Sequence, residues 1–431
     1  MRVLFISPNR LDLVVPPLPL GLASVIASLG PEHPVAVLDF MFAPDPLGEL
    51  FHLVRDFRPD VIGISVRNID NQDSRHPVSY VAEVKELVTR LRTLTPTPIL
   101  LGGAGFSVMP REFMAYVEAD FGLIGEGETA LPAFLAACKT GNWAQVPGLV
   151  WRQEGEWRAN PPHRVPDLNR LPAPALKYFS PRRYQEAQGS AKLPGMIPVQ
   201  SRRGCPMRCI YCTTPKLEGR RLRARAPEQV AAWLAAWHEE WGLTHFYFVD
   251  NIFNHPPDYA RSLCGAIADL RLPLEWSGLI NPAFPDQELF HLMRRAGAIM
   301  VQAGNESGSG LMLSNLGKGF GLEQVRRTLS MLQAEDLPYS CFLLLGGPGE
   351  TQATVQESVS LLEEYQPLMV NLTVGIRIHP GLPLHKIALA EGVVGPGESL
   401  LWPKFYLAPA VRDWIWDFLD GVRIRHPNWI F

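Results

Sequence analysis

Three of the six cysteines in this chain fall in one short stretch, RRGCPMRCIYCTTPK (residues 202 to 216), at positions 205, 209 and 212. The order is C-x3-C-x2-C, and no fourth cysteine follows nearby. Thiolates are soft ligands that suit zinc, copper(I) and iron–sulfur clusters. A structural zinc site wants four closed ligands, usually as two pairs, whereas this stretch offers three. His238, His245 and His255 are candidates for a fourth zinc ligand, yet two of them lie on or beside a predicted helix and strand. Alternatively, Cys205, Cys209 and Cys212 hold three irons of a [4Fe–4S] cluster and leave the fourth iron open to an exchangeable ligand, which accounts for the missing cysteine. Cys138, Cys264 and Cys341 stand alone in apolar surroundings and read as buried, inert thiols.

The elements that must carry this loop are legible as an α/β chain. Short β-rich runs (VLFIS 3 to 7, VAVLDF 35 to 40, DVIGISV 60 to 66, PILLGG 98 to 103, DFGLIG 120 to 125) alternate with helical patterns near 20 to 29, 46 to 57, 77 to 93, 110 to 117 and 129 to 139. Strands separated by helices imply a doubly wound, five-stranded parallel sheet, with its ligand site beyond the carboxyl ends of the strands. The stretch GLVWRQEGEWRAN reads as a hairpin, and the proline-rich residues after it as an extended connector. Six further strand–helix units begin at IPVQS and end at LMVNLTVGIRI, with the cysteine loop after the first strand. They imply a partial (β/α)6 barrel whose reactive end is again the carboxyl end. The expected organisation is a Rossmann-like domain over 1–145, a linker with hairpin over 146–195, the barrel over 196–385 and an aromatic C-terminal extension over 386–431, expected to pack over the barrel mouth.

Composition narrows the function classes. The chain has 431 residues, 47% hydrophobic and 19% charged, with a net charge of −3, which describes a globular protein with a sizeable core. Basic residues are interspersed with acids except around Arg220, Arg221, Arg223 and Arg225, so no nucleic-acid footprint is visible and a small-molecule substrate is expected. No run approaches the roughly 18 apolar residues of a membrane span and no signal segment opens the chain, so a cytoplasmic location is expected.

SRRGCPMRCIYC, with Tyr211 before the third cysteine, resembles the signature loop of the radical S-adenosylmethionine (SAM) superfamily. QAGNESGS with LGKG (302 to 319), LLLGGPGET (343 to 351) and IRIHPGLPLHKIALAEG (376 to 392) resemble that superfamily's fourth-, fifth- and sixth-strand segments. PLPLGLASVIASLG, RPDVIGIS, ILLGGAGFSVMPREFM and FGLIGEGETAL are similar, in the same order, to the cobalamin-binding domain fused to one large subclass. The resemblance implies three cofactors: a [4Fe–4S] cluster on the three cysteines, SAM chelating the open iron, and cobalamin. It also implies that an electron from the cluster cleaves a C–S bond of SAM to a 5′-deoxyadenosyl radical. Tyr211, Glu306 and Lys318 would contact SAM, with Asp250 and Asn251 near its methionine amine, although this chain reads FVDN where many members have GGE. Gly346, Gly347 and Gly349 would let backbone approach the adenine. In the cobalamin domain, Gly102, Gly103, Gly105, Gly125, Glu126 and Gly127 would lie against the cofactor. The usual D-x-H-x-x-G segment is absent, since SPNRLDLVVPP follows the first strand, so Arg67, Asn68 and Ile69 are the candidates for the lower face of the corrin.

The function so implied is methyl transfer from SAM via methylcobalamin to an unactivated carbon, or phosphorus, of a small molecule, with a flavodoxin- or ferredoxin-type reductant as electron donor. The alternatives are radical cyclisation or rearrangement with the same cofactors, a radical SAM enzyme that has lost cobalamin, and, outside enzymes, a zinc-stabilised binding protein. A methylthiotransferase would need a second cluster, for which the N-terminal domain has only Cys138.

Overall fold

The computed structural model describes residues 1–10, 16–187 and 195–430. Residues 11–15 of the stretch after the first strand, 188–194 of the connector and the terminal Phe431 therefore lie outside the described residues. The chain divides into two compact units. The first comprises Met1–Asn71, Val78–Pro198 and Lys216–Gly219; the second takes Gln72–Pro77, Val199–Pro215 and the chain from Arg220 onward.

In the first unit five parallel strands, β1 (Val3–Ser7), β2 (Val35–Asp39), β3 (Val61–Ser65), β4 (Ile99–Gly102) and β5 (Phe121–Leu123), follow the predicted series. All five residues of β1 are buried, because a parallel sheet is covered by helices on both faces. The predicted hairpin, β6 (Leu149–Gln153) and β7 (Glu156–Ala159), does not stand apart as a connector. It pairs antiparallel with β5 through Phe121 and Trp151, so the sheet has seven strands in the order β2-β1-β3-β4-β5-β6-β7. The helix predicted near 77 to 93 spans Val81–Leu94 instead, because Ser79 is still extended, bridged to Asp70.

The second unit carries the barrel sheet. After β8 (Ile197–Val199) the chain forms a two-residue ribbon, β9 (Arg202–Arg203) against β10 (Arg223–Ala224), which brackets the cysteine loop. The remaining strands are β11 (His245–Phe248), β12 (Glu275–Ile280), β13 (Ala298–Glu306), β14 (Tyr339–Leu345) and β15 (Met369–Val374), parallel throughout. A second ribbon, β16 (Ile376–Arg377) with β17 (Phe405–Tyr406), precedes the last helix, Ile415–Arg425, and β18 (Trp429–Ile430). The order is β18-β15-β14-β13-β12-β11-β8. The end of the chain departs from expectation here: Trp429 pairs with Val370 and Ile430 with Asn371, adding a short parallel strand beside β15. Helices cover one face of this sheet, since Trp237 stacks on Phe246 at 6.4 Å and the Tyr339 hydroxyl donates to the carbonyl of Tyr365 at 2.8 Å.

One backbone contact fixes the loops at the carboxyl end of the first sheet. Gly103 follows β4 with φ +96°, and a Cβ there would lie 2.4 Å from the carbonyl oxygen of Val66. A Cβ on Gly105 would meet the carbonyl oxygen of Arg67 at 3.0 Å. Glycine is required at Gly103 on both counts, conformational and steric. Gly141 also has positive φ, +72°, but nothing lies within 4 Å of its Cβ position. Gly103→Ala is expected to lower unfolding stability by about 2 kcal/mol or more and Gly141→Ala by only about 1 kcal/mol, as urea unfolding of the whole chain will show. Equal losses would mean that the Val66 contact relaxes without penalty.

Candidate functional site

The cysteine loop is held at its root by a buried ion pair. Asp250, at the end of the segment after β11, is 2% exposed and Arg202 is likewise 2% exposed. One carboxylate oxygen of Asp250 accepts the backbone N–H groups of Ser201 (2.8 Å) and Arg202 (2.9 Å). The other accepts the Ser201 hydroxyl and the Arg202 guanidinium, the latter at 3.3 and 3.4 Å. Arg202 donates its remaining N–H groups to the carbonyls of His255 (2.6 Å) and Phe253 (2.7 Å) and lies over the ring of Tyr259. Asp250, expected beside a methionine amine, is thus occupied in anchoring the loop, with both oxygens engaged by it. Asn251 ties the loop's two ends: its side-chain oxygen accepts from Thr214 Oγ1 (3.2 Å) and its amide donates to the Gly204 carbonyl (3.4 Å).

The middle of the loop docks on the turn after the short helix Gly310–Asn315 that follows β13. Ile210 N–H donates to the Leu316 carbonyl at 3.1 Å, and a Cβ on Gly317 would lie 2.8 Å from the Arg208 carbonyl oxygen. That docking brings together three of the residues expected to meet SAM. Lys318 Nζ is 3.3 Å from Glu306 Oε1 and 3.4 Å from the Tyr211 hydroxyl. Lys318 is 5% exposed. Burial, then the carboxylate of Glu306 and the neighbouring thiols, pushes the Tyr211 phenol well above its ordinary value. Yet Tyr211 keeps part of its surface open, so it lines a deep, accessible recess. Glu306 closes β13 at φ +64°, next to a register shift in the β13–β14 pairing. A non-glycine residue held in the left-handed region costs about 1–3 kcal/mol and marks a place where the fold overrides local preference.

The three thiols suit separate irons. Burial pushes the Cys205 thiol up to about 11 and raises Cys209, with the Lys318 ammonium pulling both back. All three are free thiols, Cys205 buried and the other two half-buried. Among the described residues no group of three His, Cys, Asp or Glu side chains converges where a single ion would sit. A cubane instead places each thiolate on its own iron, and a donor set of three thiols on one recessed loop fits it.

The glycines expected at the adenine have neighbours of their own. Cβ atoms on Gly346, Gly347 and Gly349 would meet Leu407 at 2.4 Å, Leu316 at 3.1 Å and Asn315 at 2.6 Å. Glu350, which follows them, is buried, and its carboxylate accepts the Gly346 N–H and the Thr354 hydroxyl.

In the first unit the order β2-β1-β3 puts the topological switch between β1 and β3, where the crossover helices leave on opposite faces and open a crevice. The loop after β1 contributes Asn9, whose buried amide nitrogen has no hydrogen-bond partner among the described residues. The loop after β3 contributes Arg67, exposed to solvent yet so surrounded that desolvation lowers its guanidinium pKa. Those two descriptions agree for a side chain on the floor of a concave site. Asn68 is half-buried and Ile69 buried behind it. Gly103 and Gly105 pack on this loop as described, and a Cβ on Gly102 would have only ordinary contact with Leu123. Glu126 is buried and accepts the Val165 N–H at 2.7 Å, which makes it a clamp on the connector. A Cβ on Gly125 would be 3.4 Å from Pro162, and on Gly127 2.7 Å from Val25. Thr129, in the first turn of the helix Gly127–Thr140, has a buried hydroxyl without a partner among the described residues. Orphaned polar atoms at the carboxyl end of the sheet, with no histidine among Arg67, Asn68 and Ile69, fit a corrin that takes no protein ligand from this loop.

Sequence reasoning missed Asn9, Thr129 and Arg202. It also missed the pair in which the buried Tyr184 hydroxyl donates to Asp39 at the end of β2, where burial raises the Asp39 pKa. Asp39 ends a predicted strand and so was findable; Tyr184 lies in the connector, where nothing local distinguishes it. A cavity of about 700 Å³ lined by Trp143, Trp151 and Trp157 lies near the amino ends of β4 and β5, at the opposite end of that sheet from Asn9 and Thr129.

Residues 199–362 match the sequence profile of the radical SAM superfamily, and residues 12–135 match that of the B12 binding domain. An uncharacterized methyltransferase of Pyrococcus horikoshii is 23% identical over 90% of this chain and 81% of its own. The cytidylyl-2-hydroxyethylphosphonate methyltransferase of Streptomyces wedmorensis is 25% identical over 82% of this chain and 71% of its own. The fold matches that of TsrM from Kitasatospora setae, a radical S-adenosylmethionine methyltransferase solved with cobalamin and a [4Fe–4S] cluster, at a TM-score of 0.84. That similarity extends over 100% of this chain and 92% of the other at 22% identity.

Asp250→Ala leaves the Arg202 guanidinium buried without its counter-charge and is expected to destabilise the chain by about 3–5 kcal/mol. The double replacement Asp250→Leu with Arg202→Met should cost less than the sum of the single changes. Urea unfolding measures both, and strict additivity would show that the two charges are not coupled.

Proposed function

We propose, from the premise that this chain is an enzyme of the radical SAM superfamily carrying a B12-binding domain, that it transfers a methyl group from SAM to a carbon, or phosphorus, of a small-molecule substrate. The observation that carries this reading is the set of three thiols on one recessed loop with the hydrogen-bonded Tyr211, Lys318 and Glu306 beside them. The two relatives described above are both named as methyltransferases, which supports methyl transfer as the outcome. A flavodoxin- or ferredoxin-type protein is the electron donor that such chemistry calls for.

When bound, the cluster with SAM supplies one-electron chemistry on a C–S bond and cobalamin supplies methyl-carrier chemistry. Cys205, Cys209 and Cys212 hold the cluster and offer no fourth sulfur. Glu306 and Lys318 present opposite charges side by side, matched to the ammonium and carboxylate of an amino-acid moiety. Their own ion pair keeps both charges compensated inside the recess, where an unpaired charge would be strongly disfavoured. Asp250, Arg202 and Asn251 hold the loop in register without touching the reacting atoms. Arg67 has no lone pair to give a metal, so with Asn68 and Ile69 it would hold a corrin by hydrogen bonding and packing, and the bound cofactor would supply the methyl-carrier chemistry.

Anaerobically prepared protein is expected to be brown, with about four irons and four sulfides per chain, and to cleave SAM when reduced. Replacing Cys205, Cys209 and Cys212 by Ala should abolish both properties. Colourless protein with one zinc, or cleavage retained in the triple variant, would refute the assignment. Hydroxocobalamin binding, read from its visible spectrum, is a separate test: refusal would remove methyl transfer and leave the cluster assignment standing.

A further inference from the structure

Residues 199–226 carry seven arginines and one lysine against a single acid, Glu218, and burial sorts the arginines into two groups. Arg202, Arg203, Arg223 and Arg225 are buried and serve the fold. Arg202 pairs with Asp250, Arg203 Nε donates to Gln200 at 2.8 Å and pairs with Arg223 across the β9–β10 ribbon, and Arg225 lies over the ring of Trp233. Arg208, Arg220 and Arg221 are exposed instead, and none of them has an ion-pair partner among the described residues. Arg220 donates from Nη1 to the carbonyl of Met207 at 2.8 Å, which sets its guanidinium against the residue next to Arg208.

Pro206, Met207 and Arg208 form the arc between Cys205 and Cys209. Pro206 is exposed and Met207 half-buried, so the chain that bridges two of the thiols also meets solvent. The elements packed against the loop add no free acid. The Ile210 carbonyl accepts the Leu384 N–H at 3.1 Å, and the helix that begins there, Pro383–Ala390, carries His385 and the exposed Lys386. Glu391, which follows that helix, accepts the Tyr406 hydroxyl at 2.6 Å. The turn after the helix Gly310–Asn315 brings Lys318, buried and paired with Glu306. Glu218 is half-buried and already engaged, and Asp250 is enclosed by its own donors. Glu228 is exposed, but in the first turn of the helix Pro227–Trp241, beyond the buried Arg223 and Arg225. The accessible surface of the cysteine loop is therefore apolar at Pro206 and Met207 and positive at its margins.

We propose that Pro206, Met207 and Arg208, with Arg220 and Arg221, form the docking surface for a flavodoxin-type electron carrier, an acidic protein whose flavin exposes an apolar edge ringed by carboxylates. The proposal rests on the radical SAM function given above and deepens it by assigning where the reductant meets the chain. Electron transfer weakens steeply with distance, so a carrier has to approach the thiols closely, and this arc is where the chain joining two of them reaches the surface. The reduced flavin is oxidised by one electron and the cluster held by the three cysteines is reduced by that electron, with no atom transferred. Arginines free of internal partners steer an acidic carrier into place at no cost in broken ion pairs, and their exposure keeps the complex weak enough for the oxidised carrier to leave. The chain as a whole carries a net charge of −3, so a local positive face also fixes the orientation of the encounter.

Calorimetric titration of oxidised flavodoxin into the full chain, loaded with its cluster, reads docking without turnover. Saturable binding is expected at low salt, weakening roughly ten-fold or more by about 0.3 M salt. Arg208→Glu and Arg221→Glu should each weaken it about three- to ten-fold. Arg423→Glu, which makes the same charge change at an exposed position of the last helix, should leave it unchanged. Circular dichroism and iron content of the variants should match the parent. In SAM cleavage, the two loop variants should raise the flavodoxin concentration giving half-maximal rate by the same factor, while cleavage driven by reduced methyl viologen, a small cation, stays at the parent rate. No binding at low salt, binding indifferent to salt, unchanged binding in both loop variants, an equal loss in Arg423→Glu, or tighter binding of a ferredoxin than of flavodoxin overturns the proposal. Absence of viologen-driven cleavage in the parent would sink the radical function and leave the docking result to stand by itself.

Discussion

A carboxylate shut away from water holds the cysteine loop in place. Asp250 collects two backbone N–H groups, a hydroxyl and a guanidinium from Ser201 and Arg202, and that guanidinium in turn fastens the carbonyls of Phe253 and His255. A buried pair of this kind contributes little net stability compared with an apolar substitute, but it is directional. Its worth lies in geometry: the loop can leave the first strand in only one direction, over the turn that carries Lys318. That pair fixes the root of the loop, and the Ile210–Leu316 hydrogen bond brings its middle to the turn that carries Lys318.

The scaffold was largely legible in the sequence because its signals are local and redundant. Apolar runs such as VLFIS, each followed by an amphipathic stretch, leave few alternatives to parallel strands with helical crossovers. The cysteine spacing likewise stands on its own, since a loop of eight residues carries its whole pattern in one place. The hairpin was visible as a hairpin, but its attachment to β5 was not. That choice depends on which sheet edge lies open, a non-local fact.

The surroundings of a side chain are less legible in a sequence than its backbone element. Asp250 and Glu306 both end strand segments and both resemble ligand-binding positions, yet one is enclosed by donors from its own chain while the other faces a recess. Nothing in their immediate sequence separates them. The difference is made by Ser201 and Arg202, whose donors occupy both carboxylate oxygens of Asp250. Residues such as Tyr184 and Thr129 carry no local signal, and only the fold brings the first of them to the end of β2.

The glycines after β4 bear on how such sequences diverge. Gly103 and Gly105 are dictated by the backbone of the loop after β3, which presses against them whether or not any cofactor is present. A descendant that had abandoned its corrin would remain bound to the same two residues by its own architecture. Glycine signatures of this type consequently survive as fossils of a fold and say little about whether its guest is still at home.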